Sequence, residues 1–326
     1  MNIGSDMKEN DLVSIVFISY NQESFIRESV SSALSQTYSP LEIIFSDDCS
    51  KDRTYEIICE EVSSYQGRHK IILNRNKNNL GVADNLNKAI ELSRGKFIVQ
   101  QEGDDISVPW RVEKLVRRWL DQKNHVDLVC SYFEEIDVNG ILTGYIKREV
   151  AFFPDTSKHV LEWRCGATGA CTAFSRRLHE KYGALDNRLV APDWVYPFRA
   201  WLESDIAVVE EPLVKHRTHI RSVSFMHRTL ESNRNSLSRR LLRETAAKNS
   251  LAIAEEWLRA WEINDKMDKP HISSKLQNLI KLRKIQFKAF ESKRVESFKL
   301  LLQFILCGGG LVNAAKFAIR HVIRYD

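Results

Sequence analysis

Cysteine is sparse and poorly spaced for metal work. The six thiols, Cys49, Cys59, Cys130, Cys165, Cys171 and Cys307, include no Cys-x-x-Cys pair and have no histidine at ligand spacing. That argues against a zinc site and a disulfide framework and fits reduced thiols in a cytoplasmic protein. No Gly-x-Gly-x-x-Gly follows the first candidate strand, and no Gly-x-x-x-x-Gly-Lys-Ser/Thr occurs anywhere. The dinucleotide and phosphate-loop signatures are therefore missing. Uninterrupted apolar stretches fall well short of the roughly 20 residues that cross a bilayer. Residues 1–10 are polar and lack the apolar run of a secretory signal. Internal repeats and low-complexity tracts are also absent.

What is present is apolar content for a core, 43% of 326 residues, enough for one large α/β domain and an accessory region. Charge is unevenly spread. Residues 226–326 carry 20 Lys and Arg against 10 Asp and Glu, which leaves the first 225 residues with a net charge of −5. A basic tail on an acidic body points to an anionic partner for the tail, a membrane surface or a nucleic acid.

Two apolar runs break into clustered acids, Leu41–Phe45 into Ser46-Asp47-Asp48 and Lys96–Val99 into Gln100-Gln101-Glu102-Gly103-Asp104-Asp105. Short runs rich in β-branched and aromatic residues that end this way read as buried strands with exposed carboxyl ends. Ligands of open α/β sheets bind outside those ends, so the two strands would bring up to about five carboxylates to one crevice. Such a crevice suits a cation or a nucleotide. The bland alternative is helix capping, and Asp47-Asp48-Cys49-Ser50-Lys51-Asp52 is also a good helix start. The second cluster is harder to explain that way, because three acids within four residues repel one another unless a cation compensates them.

Around these runs the order is β-α-β-α-β. A strand is expected at Val13–Ile18, a helix through Phe25–Leu34, a helix around Tyr55–Val62, a strand at Lys70–Leu73 and a helix from Ala83 to Leu92 closed by Gly95. Pro109 is placed to start a helix over Trp110–Leu120, and a further strand is expected over Asp127–Phe133. After the turn at Asn139-Gly140 the pattern is mixed, with a short strand at Thr172–Phe174, a helix over Arg177–Tyr182 and a longer helix over Asp193–Glu203. Beyond Met226 only helices are expected. Alternation of this kind implies an α/β domain with a mostly parallel central sheet flanked by helices, and an all-helical C-terminal extension. The domain bounds read as a polar tail over 1–10, a catalytic domain over 11–225 with halves meeting near 110, and a basic helical region over 226–326.

In this order the motifs resemble those of the family 2 glycosyltransferases, whose catalytic domain has the GT-A nucleotide-diphospho-sugar transferase fold. Ser19-Tyr20-Asn21 resembles the family's first loop, Asp47–Asp52 its Asp-Asp-Gly-Ser segment, and Asn79-Leu80-Gly81 with Asn87 its Asn-x-Gly and following Asn. Glu102-Gly103-Asp104-Asp105 stands at its acidic DxD-type motif, Pro192-Asp193-Trp194 with Arg199 at its Glu-Asp and helix Arg, and Arg217-Thr218-His219 at its Arg-x-His. The resemblance spans residues 12–225. It implies that Asp47 or Asp48 accepts a hydrogen bond from a nucleotide base, which through an N3–H would be uracil or thymine, hence a UDP- or dTDP-sugar donor. Ser19, Tyr20, Asn21, Gly81, Asn87, Glu102 and Asp104 would complete the nucleotide site. Asp104, Asp105 and His219 would hold a divalent cation, Mn²⁺ or Mg²⁺. For His219 a hydrogen-bonded loop role is equally open.

The same resemblance makes Asp193 the general base of an inverting transfer, with helix capping as its bland and compatible role. It places Gly169, Trp194 and Arg199 toward the acceptor, though Gly166–Ala170 also reads as an ordinary small-residue loop. Three departures stand out: Glu102 in place of the usual Asp, Pro192 in place of Glu, and Cys49 in place of Gly.

The tail carries amphipathic stretches that include Leu276, Leu279, Ile280, Ile285 and Phe287, then Phe298–Leu306. After Gly308-Gly309-Gly310, Lys316, Arg320 and Arg324 recur at four-residue spacing. That pattern fits peripheral attachment to an anionic membrane, or packing on its own domain or a second copy in a homo-oligomer. The helices lack the motifs that would support nucleic-acid binding. The expectation is therefore an enzyme that transfers a sugar to a glycan or lipid-linked acceptor in cell-surface polysaccharide synthesis, such as O-antigen or capsule. The alternative is a non-catalytic sugar-nucleotide-binding or scaffold protein.

Overall fold

The computed structural model describes residues 11–121, 126–146, 168–219, 236–264 and 270–291. The chain separates into two units, Met1–Pro154 with Arg164–Ser222, and Asp155–Trp163 with Val223–Asp326. Among the described residues of the first unit, nine strands join one sheet: β1 Val13–Ser19, β2 Leu41–Asp47, β3 Lys70–Arg75, β4 Phe97–Glu102, β5 Ile106–Ser107, β6 Val126–Ile136, β7 Leu142–Ile146, β8 Thr172–Ser175 and β9 Asp205–Arg217. Its helices among the described residues are α1 Ile26–Leu34, α2 Thr54–Ser64, α3 Val82–Leu92, α4 Arg111–Leu120, α5 Arg176–Tyr182 and α6 Val195–Glu203.

The strand order is β3-β2-β1-β4-β8-β6-β9-β5, with β7 paired to β6. The β3-β2-β1-β4 half is wholly parallel, as the alternating elements require. β1 and β2 are buried almost end to end, which is why they read as continuous apolar runs. Beyond β4 the sheet becomes mixed: β8 runs antiparallel to β4 and β6, while β9 runs parallel to β6. Phe17 against Phe45 and Phe97 stacked on Trp119 fill the core beneath it.

Strand order reverses at β1, whose neighbours β2 and β4 leave in opposite directions, so a crevice opens at the carboxyl ends of these three strands. Three local expectations are corrected. Gly95 does not cap α3, which ends at Leu92 with Ser93 after it. A Cβ on Gly95 would instead stand 2.5 Å from the Ser14 amide nitrogen, so close strand packing demands the glycine. The helix expected from Trp110 begins at Arg111. The helix expected from Asp193 begins at Val195, after a 3-10 turn over Pro192–Trp194.

In the second unit, α7 Ser236–Ile263 and α8 Pro270–Glu291 bury Trp257, Leu276, Leu279, Ile280 and Ile285. No helix among the described residues is long and apolar enough to cross a membrane. Phe298–Leu306 and the spaced Lys316, Arg320 and Arg324 lie outside the described residues, so the expected membrane face does too.

Candidate active site

Four segments converge on the crevice. The first is the loop after β2. Asp47, at the end of the strand, is fully buried and turns back on its own loop: it accepts hydrogen bonds from the Ser50 amide at 2.9 Å and from the Ser50 hydroxyl. Burial pushes its carboxyl up, while Ser50 and Arg75 act against that. Asp48 reaches the other way, accepting from the Leu80 and Gly81 amides at 2.8 Å each and from the Asn76 side chain at 2.9 Å. It thereby fixes the Asn79–Gly81 loop, where Gly81 has the positive φ of 87°. Ser19 closes this corner: its carbonyl accepts from the Asp48 amide, and its own hydroxyl is buried with no hydrogen-bond partner. Tyr20 is exposed beside it. Asn21 stands at φ 51° with its side chain on the Lys51 amide.

The second segment is the acidic turn between β4 and β5. Glu102, Asp104 and Asp105 bring carboxylate oxygens within 4.8 Å of one another. Burial pushes Glu102 well above the carboxylate range, and the charges of Asp105, Asp104 and Asp193 add to the shift. Burial likewise raises Asp105, against the pull of His216. Asp104 Oδ1 is buried without a hydrogen-bond partner, although its Oδ2 lies 2.9 Å from His219 Nε2. An orphaned carboxylate oxygen among three mutually repelling hard donors fits a divalent cation. Glu102, Asp104 and Asp105 are the residues that would hold it.

The third segment is the end of β9, which supplies the compensating charge. His216 Nδ1 stands 3.1 Å from both oxygens of Asp105. Burial alone would lower the imidazole, but Asp105, with Glu102 and Asp104 behind it, pushes it up to about 10. Arg217 is fully buried. Its amide donates to Asp105 at 2.8 Å, and its guanidinium donates to the carbonyls of Asp104, Asp137 and Val138 and to Glu28. His219 packs on Phe25, ring centroids 5.0 Å apart.

The fourth segment is a wall of two 3-10 turns, Gly169–Cys171 and Pro192–Trp194. Asp193 Oδ1 lies 2.7 Å, and Glu102 Oε1 3.3 Å, from where a Cβ on Gly169 would stand. Sequences far apart thus bring Asp193 beside the acidic turn. It does not occupy an N-cap position, since Ala191 precedes its own turn and Trp194 precedes α6. Trp194 is half-buried in the same turn.

Some expected residues have work elsewhere. Asn87 pairs both ends of its amide with the Leu185 backbone at 2.9 Å, fastening α3 to the chain after α5. Arg199 is fully buried, donates to the Gly183 carbonyl and lies over the Tyr182 and Tyr196 rings. Asp47 is occupied by its own loop. His216 and Arg111 went unforeseen. Arg111 is fully buried, is lowered by burial to about 10, and donates to the carbonyls of Gln100 and Ala170. An arginine in the first turn of an amphipathic helix carries no signal of that role. His216 had one, since it falls in phase with the buried Val214 along the strand.

A curated relative from Haemophilus influenzae, an uncharacterized glycosyltransferase, is 40% identical over 130 residues, which are 40% of this chain and 39% of that protein. A UDP-Glc:alpha-D-GlcNAc-diphosphoundecaprenol beta-1,3-glucosyltransferase of Escherichia coli is 33% identical over 135 residues, 41% of this chain and 51% of that one. The chain therefore spans about half or less of the length of these two relatives. Among solved structures, that of S. aureus TarS in complex with UDP superposes with a TM-score of 0.57 at 17% identity, covering 88% of this chain and 74% of the other, a likeness of fold. The family model described as Glycosyl transferase family 2 matches residues 14–183, from β1 through the acidic turn to the end of α5, and so the chain belongs to that family and carries its transferase domain.

Proposed function

We propose that the protein is an inverting glycosyltransferase that moves a sugar from a UDP- or dTDP-linked donor to a hydroxyl of a glycan or lipid-linked acceptor. The observation that carries this reading is the meeting of Glu102, Asp104 and Asp105, with the orphaned Asp104 Oδ1, and Asp193 at the carboxyl ends of β1 and β4. The diphosphate would sit against the acidic turn, with a divalent cation, Mn²⁺ or Mg²⁺, offsetting its charge and that of the departing group. Asp48 and the loop it fixes, with Ser19, Tyr20 and Asn21, line the base and ribose end. The acceptor oxygen attacks the anomeric carbon as Asp193 takes its proton. The bond to the diphosphate breaks, and its electron pair leaves with the nucleotide. No covalent sugar intermediate is required.

Support for the donor and acceptor classes comes from the UDP bound to TarS and from the UDP-glucose and diphosphoundecaprenol named for the E. coli relative. Action on a lipid-linked acceptor would place the enzyme at the inner face of the cytoplasmic membrane, with residues 11–225 as the catalytic domain and the basic residues 226–326 as attachment or self-association region.

The test is calorimetry of UDP, dTDP, GDP and CDP, each with and without Mn²⁺, on the intact protein and on Asp104→Ala. Metal-dependent binding of UDP or dTDP that the substitution abolishes is the expected result. Absence of nucleotide binding under every condition overturns the reading, and preference for GDP or CDP overturns its donor class.

A further inference from the structure

We propose that Gly169 is a positioning residue for Asp193: its missing side chain is the space that lets the Asp193 carboxylate stand beside Glu102. The inference rests on the reading of Asp193 as general base and goes beyond it to what holds that base in place.

Backbone conformation does not explain a glycine here. Gly169 is not among the positive-φ glycines of the described residues, which are Gly81, Gly140 and Gly183. Space explains it. A Cβ on residue 169 would lie 2.7 Å from Asp193 Oδ1, a separation that real Cβ atoms do not sustain, and 3.3 Å from Glu102 Oε1. One partner must give way.

The wall is the stiffer side. The Ala170 carbonyl is held by the buried Arg111 guanidinium at 2.5 Å, which also grips the Gln100 carbonyl of β4. The Thr172 hydroxyl ties β8 to the Gln100 side chain at 2.6 Å and meets the Gly169 carbonyl at 2.8 Å, and the Cys171 amide closes the turn on Thr168. The turn is therefore fastened to the sheet through residues 170 and 172, and the Thr168 and Gly169 carbonyls are held by Cys171 and Thr172. The nearest atom opposite is the end of a side chain, which rotates more cheaply than a bonded backbone moves. An added methyl displaces the carboxylate and leaves the fold in place. Displacement of a base by about 1 Å costs on the order of 100-fold in rate.

The experiment is a double-substitution cycle on the full chain, Gly169→Ala and Asp193→Asn singly and together, read by transfer kinetics, UDP–Mn²⁺ calorimetry and thermal unfolding. The expected result is a fall in kcat of about 100-fold for G169A, with donor KM and nucleotide affinity within about twofold of the parent and an undiminished unfolding midpoint. Because Gly169 acts through Asp193, G169A placed in the D193N background should lower kcat no further. A kcat within threefold of the parent for G169A, while D193N is inactive, overturns the inference and leaves the base assignment standing. Full activity in D193N overturns the assignment itself. Loss of folding or of nucleotide binding in G169A, or additive losses in the double variant, shows a structural glycine and also overturns the inference.

Discussion

His216 and Asp105 form a buried pair in which one imidazole nitrogen stands 3.1 Å from both carboxylate oxygens. The pair joins the end of β9 to the acidic turn after β4, elements more than 100 residues apart in the chain. Burying two charges is expensive, so the contact is justified by geometry: Asp105 also accepts from the Arg217 amide and is left with a fixed orientation. Replacement of His216 by Phe should strand a buried carboxylate beside Glu102 and Asp104. The expected cost is about 3–5 kcal/mol in urea unfolding. A loss under about 1 kcal/mol would show that Asp105 is protonated or solvated instead.

Asp193 gives a prediction of the opposite kind. Its replacement by Asn keeps size and removes the proton acceptor, so kcat should fall by about 100- to 10,000-fold with nucleotide affinity unchanged. Equal losses in nucleotide binding would place Asp193 on the donor instead.

The sequence made the parallel half of the sheet legible because β1, β2 and β4 are buried on both faces and leave apolar runs with polar ends. It hid β5, two residues long, and most of β9, whose His216 and Arg217 meet acids, Asp105 and Glu28, that only the fold brings opposite them. Asp47 and Asp48 are indistinguishable as neighbouring letters. Only strand pleat and loop geometry turn one onto Ser50 and the other onto Leu80 and Gly81. Gly95 read as a cap because sequence shows a helix end nearby and cannot show Ser14 beneath it.

Asn87 separates a motif position from a contact. Both ends of its amide serve the Leu185 backbone, so Asn87→Ala leaves a buried donor and acceptor unpaired. Unfolding free energy should drop by about 1–3 kcal/mol, and UDP affinity at a temperature where the variant is folded should stay within about twofold. A selective loss of UDP binding with stability intact would return Asn87 to the nucleotide site.

The acid range supplies a last test, away from the cluster. Burial, with the Arg199 and Arg176 charges adding to it, lowers His179 to about 4, and its Nδ1 lies 2.9 Å from the Tyr196 hydroxyl. The folded protein therefore holds this imidazole neutral where the unfolded chain, near 6.5, begins to take a proton. Between about pH 6.5 and 4 the unfolded state binds more protons, so stability falls as pH falls through that window and changes little from this group above it. Partial exposure reduces the effect to on the order of 1–2 kcal/mol. Urea unfolding at pH 7 and 4.5 should show that difference shrink in His179→Gln, which cannot take the proton. An unchanged pH slope in the variant would mean that His179 is already charged in the folded state or that other groups dominate the window.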